Sequence, residues 1–148
     1  MVSNQQFIEI AYTIAKSSHC SRKQVGCLIV KEGRIVSTGY NAIPKKLRPY
    51  CTNLRYDLFL QGNPPICGGC TNVIHSELNA IYAAARAGIS TLDCDMYITL
   101  SPCVECAKGI AMAGIKHLYY HQDYKDNMGI KYLKELGVKI TKVVLDNE

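Results

Sequence analysis

Five residues in two short segments have the types and the spacing of a metal-dependent catalytic site. His75 is followed two positions later by Glu77, and Pro102 directly precedes Cys103, which lies three positions before Cys106. An imidazole and two thiolates are zinc ligands, and three protein ligands leave the fourth tetrahedral position open for water, as in catalytic zinc sites. A carboxylate beside that position can carry protons. The two segments together therefore predict a catalytic zinc ion with Glu77 as its proton carrier.

The spacing within each segment predicts how the chain presents these groups. On a helix, Cys103 and Cys106 project from one face, and Pro102 suits the first turn, where its missing N–H costs nothing. The thiols then lie at a helix N-terminus, where the dipole favours thiolates. His75 and Glu77 would point about 200° apart on a helix, so both can face one metal only if it lies over the helix end. We therefore predict two helix N-termini directed at one zinc ion.

Charge explains why a carboxylate accompanies this ligand set. Two thiolates already neutralise Zn²⁺, so water on it is less acidic than on a zinc ion held by neutral imidazoles. Glu77 compensates by accepting the proton, which it can then deliver to a bound substrate and its leaving group. A Cys-x-x-Cys pair alone is as often a structural zinc or redox motif. The carboxylate favours catalysis over a non-catalytic zinc scaffold or a nucleic-acid-binding module, which needs no proton carrier.

The elements that must position these residues follow from hydrophobic periodicity and turn residues. After residue 75, strands and helices alternate, which favours a parallel sheet covered by helices, and the first two strands form an antiparallel hairpin around 31–33. The fold class is therefore α/β, and residues 41–72 form a long loop. The predicted helices span 3–17, 75–87, 103–113 and 127–136, and the predicted strands span 25–30, 34–40, 95–100, 116–120 and 138–145.

Length and composition predict a single domain, residues 1–148, that is large enough to bury one core. No apolar run approaches the roughly 18 residues that cross a bilayer, and the N-terminus has no basic flank or signal-peptide core. We therefore expect a cytoplasmic protein, in the host cytoplasm if its source is viral, and no membrane partner. The net charge of +5 favours an anionic partner, with phosphate the obvious candidate.

Several segments resemble deoxycytidylate (dCMP) deaminases, phage enzymes included, of the zinc-dependent cytidine and deoxycytidylate deaminase family. The His-x-Glu and Pro-Cys-x-x-Cys motifs are the signature of zinc nucleobase deaminases. The resemblance implies a cytidine-deaminase-like fold: a five-stranded mixed sheet with an N-terminal antiparallel hairpin, flanked by helices in three α/β/α layers. It also implies hydrolysis of dCMP to dUMP with release of ammonia, and usually a homohexamer. The segments that carry it are 25–30, 39–44, 75–81, 96–108 and 113–115.

The resemblance also implies roles for residues outside the metal site. Asn41 would contact the substrate sugar, Leu100 and Ser101 would line the base pocket, and Tyr124 would lie near the nucleotide. Ser76 stands where the family usually has Ala, a departure that we expect to be harmless.

A regulatory nucleotide site is a further implication. In the family, deoxycytidine triphosphate (dCTP) activates and thymidine triphosphate (dTTP) inhibits, assisted by Mg²⁺. Lys45 and Lys46 would meet the triphosphate, although a solvated basic loop explains them as well. Ala42 stands where Gly is usual, which could alter the turn. The residues of that turn are Gly39, Tyr40 and Asn41.

Clustered cysteines in the long loop predict a second, structural zinc ion. Cys67 and Cys70 form a Cys-x-x-Cys pair, and with Cys51 and a fourth soft ligand they could close a tetrahedral site. Some dCMP deaminases carry such a site, built partly from the positions that match Cys20 and Cys51. We therefore predict Cys20 as the fourth ligand, with His19 in reserve; free surface thiols or a disulfide are the alternatives.

The alternative functions are those of related deaminases. A tRNA adenosine deaminase shares both motifs, but the Gly-Tyr-Asn-x-x-Pro segment and the Cys-rich insertion favour a nucleotide substrate, and no nucleic-acid partner is expected. Another cytosine-nucleoside deaminase is disfavoured because free-cytidine deaminases commonly have Cys where His75 stands. Arg86 is either a residue of a subunit contact or a plain surface arginine.

Overall fold

The computed structural model describes residues 1–20, 22–44 and 72–146, and each helix and strand predicted above is present in it. The ends differ from prediction by a few residues at most. Lys45, Lys46, Cys51, Cys67 and Cys70 lie outside the described residues. The elements are α1 (Asn4–Ala15), β1 (Gly26–Lys31), β2 (Arg34–Tyr40), α2 (Ser76–Arg86), β3 (Asp95–Leu100), α3 (Val104–Met112), β4 (His117–Gln122), α4 (Met128–Glu135) and β5 (Lys139–Lys142).

The five strands form one mixed sheet in the order β2-β1-β3-β4-β5. Strand β1 pairs antiparallel with both β2 and β3, whereas β3, β4 and β5 run parallel. Helices α3 and α4 connect the parallel strands, as parallel neighbours require. The predicted mixed sheet with an N-terminal hairpin is therefore confirmed. The parallel arrangement places the C-terminal ends of β3 and β4 side by side.

Helices cover both faces of the sheet. Helix α1 packs on one face around Phe7, Ile8 and Leu28, while α2, α3 and α4 pack on the other face around Cys27 and Ile98. Strand β1 is apolar from Gly26 to Val30 because its successive side chains enter both cores. The three-layer α/β/α arrangement follows. Within the described parts of the chain, no helix has both the length and the apolar content to cross a bilayer.

Candidate zinc centre and active site

Two helices begin at the predicted metal ligands. His75 is the N-cap residue of α2 and Cys103 is the N-cap residue of α3, and their carbonyl oxygens accept hydrogen bonds from the N–H groups of Asn79 and Ala107. The positive ends of both helix dipoles therefore point at this region, which suits thiolates and a carboxylate. The predicted meeting of two helix N-termini is confirmed. The position of Pro102 was predicted wrongly: it precedes the N-cap residue Cys103 and does not lie in the first turn of α3.

Backbone pairing holds the start of α2 in place. Ala42 and Ile74 exchange two backbone hydrogen bonds, of 3.1 and 2.9 Å, immediately before His75. The side-chain amide of Asn79 donates to the carbonyl groups of Tyr40 and Ile74, at 2.7 and 3.1 Å. Ala42 replaces the Gly that is usual in the family, but its φ is not positive, so this backbone does not require Gly. These hydrogen bonds thus fix the residues just before α2 to the end of β2.

The three candidate ligand atoms converge at separations that suit zinc. The Nδ1 atom of His75 lies 3.2 Å from the sulfur of Cys106 and 3.6 Å from the sulfur of Cys103, and all three atoms lie within 4.8 Å of one another. Tetrahedral zinc, with bonds of about 2.0–2.1 Å to nitrogen and about 2.3 Å to sulfur, needs N···S separations of roughly 3.6 Å. The donor set therefore fits Zn²⁺. Among the described residues, no other cluster of His, Cys, Asp and Glu converges in this way.

Hydrogen bonds among the three candidate ligands give the thiol groups of Cys103 and Cys106 very different pKa values. Hydrogen bonds with Cys106 and His75 lower the pKa of Cys103 to about 4. The hydrogen bond to Cys103, together with burial, raises the pKa of Cys106. The hydrogen bond with Cys103 also raises the pKa of His75. Because zinc binds deprotonated ligands, it would displace the proton of Cys106, and metal uptake should weaken as the pH falls.

Glu77 lies beside this cluster in a nearly dry position. Its side chain is 4% exposed, and burial raises the pKa of its carboxyl group, while a hydrogen bond from its own backbone N–H and the nearby His75 oppose that rise. The hydroxyl of Ser76 donates to the Oε2 atom of Glu77 at 3.0 Å. A buried carboxyl group that binds a proton more readily than in water is suited to proton transfer near neutral pH.

Asn41 follows β2 and uses both side-chain polar atoms within the protein. Its Oδ1 atom accepts from the N–H of Val25 at 2.9 Å, and its Nδ2 atom donates to the carbonyl of Lys23 at 2.7 Å. Its own carbonyl accepts from the hydroxyl of Ser18. The buried side chain of Asn41 therefore links the end of β2 to the segment before β1 by hydrogen bonds.

Leu100, Ser101 and Tyr124 lie at the C-terminal ends of the two neighbouring parallel strands β3 and β4. The N–H of Tyr124 donates to the hydroxyl of Ser101 at 2.7 Å, and the N–H of Ser101 donates to the carbonyl of Gln122 at 2.8 Å. These bonds join the loops after both strands, two residues before Cys103. In parallel α/β sheets, this end is where ligands bind.

Gly39 and Tyr40 also lie next to the start of α2. A Cβ atom on Gly39 would stand 2.2 Å from the carbonyl oxygen of Ser76 and 2.5 Å from the backbone nitrogen of Ala80. Only a residue without a side chain lets α2 approach β2 this closely. The sequence motif does not reveal this packing role of Gly39; a Gly near the end of an otherwise regular strand is the signal that could have indicated it.

Three further residues of the site predictions lie in the described part of the chain. His19 is exposed and Cys20 is half-buried in the segment after α1, where the N–H of Cys20 donates to the hydroxyl of Ser18. Arg86 is the exposed last residue of α2, at the opposite end of that helix from His75.

Gly129 lets helix α4 pack closely against the backbone of Pro102 and Cys103, the segment called the zinc loop below. A Cβ atom there would stand 2.2 Å from the carbonyl oxygen of Pro102 and 2.9 Å from that of Cys103. Both neighbours are backbone atoms of the loop that presents a metal ligand, so they cannot give way cheaply. The absence of a side chain at Gly129, about 25 residues further along the sequence, is therefore needed for the observed position of the loop that presents Cys103.

Replacing Gly129 by Ala should displace this loop. We expect Gly129→Ala to lower the free energy of unfolding by about 1–3 kcal/mol, although Ala is the better helix former, and to weaken zinc binding. Gly109→Ala is the matched control, because the new Cβ in α3 meets only the end of the Leu78 side chain. Urea unfolding and zinc titration of both variants test this, and equal behaviour of the two would contradict it.

The fold and the site together define a class of protein. A mixed sheet with a His, two Cys and a Glu at paired helix N-termini is the arrangement of zinc-dependent deaminases. The sequence model "Cytidine and deoxycytidylate deaminase zinc-binding region" matches residues 1–122. The chain belongs to this family.

Relatives and solved structures agree with this assignment. The deoxycytidylate deaminase of Enterobacteria phage T4 is 39% identical over 95% of this chain and 89% of its own length. ComE operon protein 2 of Bacillus subtilis is 34% identical over 97% of this chain and 72% of its own. The crystal structure of dCMP deaminase from the cyanophage S-TIM5 in complex with dCMP and dUMP superposes with a TM-score of 0.81, at 31% identity and 93% coverage of both chains.

Proposed function

We propose that this protein hydrolyses dCMP to dUMP and ammonia in pyrimidine deoxynucleotide biosynthesis. The observation that carries the proposal is the convergence of His75, Cys103 and Cys106 beside the buried carboxyl group of Glu77. The phage relatives and the S-TIM5 enzyme with its bound dCMP and dUMP support the substrate.

The chain's own residues supply the proton transfers of this reaction. Zinc held by His75, Cys103 and Cys106 would supply a Lewis acid that activates water for attack at C4 of the pyrimidine. Glu77 accepts the proton that the attacking water loses and gives a proton to N3 of the ring. It then takes the proton of the new C4 hydroxyl group and passes it to the amino group, so that the C4–N bond breaks, ammonia leaves and the C4 carbonyl of the uracil ring forms. One water molecule is consumed, and no oxidant or further cofactor is needed.

Substrate contacts are proposed for four residues. Asn41 would contact the deoxyribose, Leu100 and Ser101 would border the base, and Tyr124 would lie along the nucleotide. Leu100 and Ser101 lie within three residues of Cys103 in the chain, and the hydrogen bond between Tyr124 and Ser101 brings Tyr124 to the same end of the parallel strands, which supports this assignment.

A substrate panel tests the proposed reaction. Zinc-loaded protein is incubated separately with dCMP, cytidine, dCTP and tRNA, and ammonia release is followed at several substrate concentrations. We expect kcat/KM for dCMP to exceed that for the other compounds by at least about tenfold. Turnover of tRNA alone would establish the alternative, a tRNA adenosine deaminase, and preference for cytidine would indicate a nucleoside deaminase.

Regulation by nucleotides is a separate proposal. With Mg²⁺, dCTP would activate and dTTP would inhibit at a site formed by Gly39, Tyr40, Asn41, Lys45 and Lys46. The closeness of Tyr40 to Asn79 at the start of α2 supports a path from this segment to the metal ligands. Rates measured with dCMP at low concentration should rise with dCTP and fall with dTTP, and insensitivity to both would reject the proposal.

Assembly and a second metal complete the proposed function. We propose a homohexamer with Arg86 in a subunit contact, supported by the exposed position of Arg86 at the end of α2; light scattering of wild type and Arg86→Ala tests it.

We also propose a structural zinc on Cys20, Cys51, Cys67 and Cys70, with His19 in reserve. Two zinc ions per chain in protein never exposed to chelator would support this, and one would reject it. The phage relatives suggest a host cytoplasm as the place of action.

A further inference from the structure

Ser76 places a buried hydroxyl group directly on the carboxylate of Glu77. Its Oγ atom donates to Oε2 of Glu77 at 3.0 Å. The two residues are 1% and 4% exposed, so bulk water does not compete for this bond. A hydrogen bond from a neutral donor to a carboxylate is stronger than one between neutral groups, and a low local dielectric strengthens it further.

The donor cannot easily move away from this position. The carbonyl group of Ser76 packs against Gly39, where a Cβ atom would stand only 2.2 Å away. The side-chain amide of Asn79 ties the segment before α2 to the end of β2. Ser76 is therefore held between strand β2 and the first turn of α2, and its hydroxyl is a preorganised donor.

The bond occupies one of the two carboxylate oxygens of Glu77. Without it, the side chain has rotatable bonds and a choice of orientations within the first turn of α2. With it, Oε2 is held by Ser76, so the orientation of the carboxylate is fixed and with it the position of Oε1, the oxygen assigned here to proton exchange with water and substrate. Misplacing a reacting group by about 1 Å can lower a rate about a hundredfold, so fixing this orientation has a direct effect on turnover.

We propose that Ser76 is a positioning residue that holds the Oε2 atom of Glu77 and so presents Oε1 for proton transfer. The inference rests on the proposed deaminase function and goes beyond it, because the family usually has Ala here and the hydroxyl is a feature of this chain. It replaces the expectation that the Ser is a harmless departure.

Ser37 provides a matched control. It is also buried, and its hydroxyl also donates to α2, at 2.7 Å to the carbonyl of Ala80. Ser37→Ala removes a second buried hydroxyl that donates to the same helix, at the carbonyl of Ala80 and not at Glu77. Ser76→Ala removes the donor, and Ser76→Thr restores a hydroxyl at the same position.

The test measures kcat and KM for dCMP, zinc content, and equilibrium binding of two ligands by calorimetry. The first ligand is the 5′-phosphorylated 2′-deoxyribonucleoside of pyrimidin-2-one, whose hydrate resembles the tetrahedral intermediate. The second is the product dUMP. For Ser76→Ala we expect kcat and affinity for the hydrated analogue to fall about tenfold, with KM, zinc content and dUMP affinity within twofold of wild type. A tenfold loss corresponds to about 1.4 kcal/mol.

Each result decides the question. Recovery of kcat in Ser76→Thr, with wild-type kinetics in Ser37→Ala, would support positioning. Wild-type kcat and analogue affinity in Ser76→Ala, or an equal loss in Ser37→Ala, would overturn it. If the wild type turns over another member of the substrate panel and not dCMP, the proposed substrate fails, and the ratio of kcat values for that member tests Ser76 independently.

Discussion

Glu77→Gln should retain zinc and lose nearly all turnover, with kcat for dCMP reduced about a thousandfold. General acid–base catalysis contributes about 10²–10⁴ in rate, and Glu77 is assigned every proton transfer of this reaction. The amide has nearly the same shape and accepts the same hydrogen bond from Ser76, but it cannot take up the proton. Ligand geometry at His75 should therefore survive the change.

The measurement is ammonia release at saturating dCMP, with zinc determined on the same samples. Glu105→Gln is the control: this carboxylate lies in the first turn of α3, close to Cys106 in sequence, but it is exposed and pairs with Lys108 at 2.9 Å. Its loss should leave kcat unchanged. A Glu77→Gln enzyme with more than about a tenth of wild-type kcat would reject Glu77 as the proton carrier.

The same substitution should stabilise the metal-free protein at neutral pH. Burial raises the pKa of Glu77 above its ordinary value of 4.5, so between that value and the raised pKa the folded state binds more protons than the unfolded state. The free energy of unfolding then falls as pH rises through this window. Gln has no such dependence. Urea unfolding of both metal-free proteins should show a difference at pH 7 that disappears below about pH 4, and a constant difference would contradict this.

Cys106→Ser should abolish activity by a different route, through loss of the catalytic zinc. Serine keeps its proton at neutral pH, so the site loses a thiolate and only His75 and Cys103 remain as good ligands. Cys106 is 1% exposed, and its replacement by an outside ligand is therefore hindered. We expect one zinc ion per chain fewer than in the wild type after dialysis, and turnover of dCMP below about one thousandth of wild type.

Cys94→Ser serves as the matched control for this variant. Cys94 is equally buried before β3 in the apolar core, and its sulfur donates to the carbonyl groups of Ser90 and Leu92, at 3.8 Å. The control should keep the wild-type zinc content and kcat. Metal analysis and ammonia release measure both variants, and full zinc content together with activity in Cys106→Ser would remove Cys106 from the ligand set.

Features encoded by local patterns were predictable from the chain alone. The helix and strand positions follow from hydrophobic periodicity over windows of about ten residues, and the ends differ by a few residues because helix termini fray. The placement of His75 at the end of a helix followed from geometry, since a residue two positions before Glu77 can share its metal only there. Local spacing therefore determined both the element order and the candidate ligand set.

Contacts between distant segments depended on the folded chain. That β1 lies between β2 and β3 was not readable from either strand, because pairing partners are chosen by the packing of whole elements. The same packing of separate segments produces the side-chain hydrogen bonds of Asn41 and the close approach of Gly129 to the backbone of Pro102 and Cys103.

The order of the helices and strands, the candidate metal ligands and the family are thus all readable from the amino-acid sequence. The burial of polar atoms, their hydrogen-bond partners and the close approach of one backbone to another become visible only in the folded protein. The physical reason is range: helix dipoles, caps and periodicity act within one element, whereas desolvation of Glu77 and the fit of Gly39 against α2 exist only when separate elements meet.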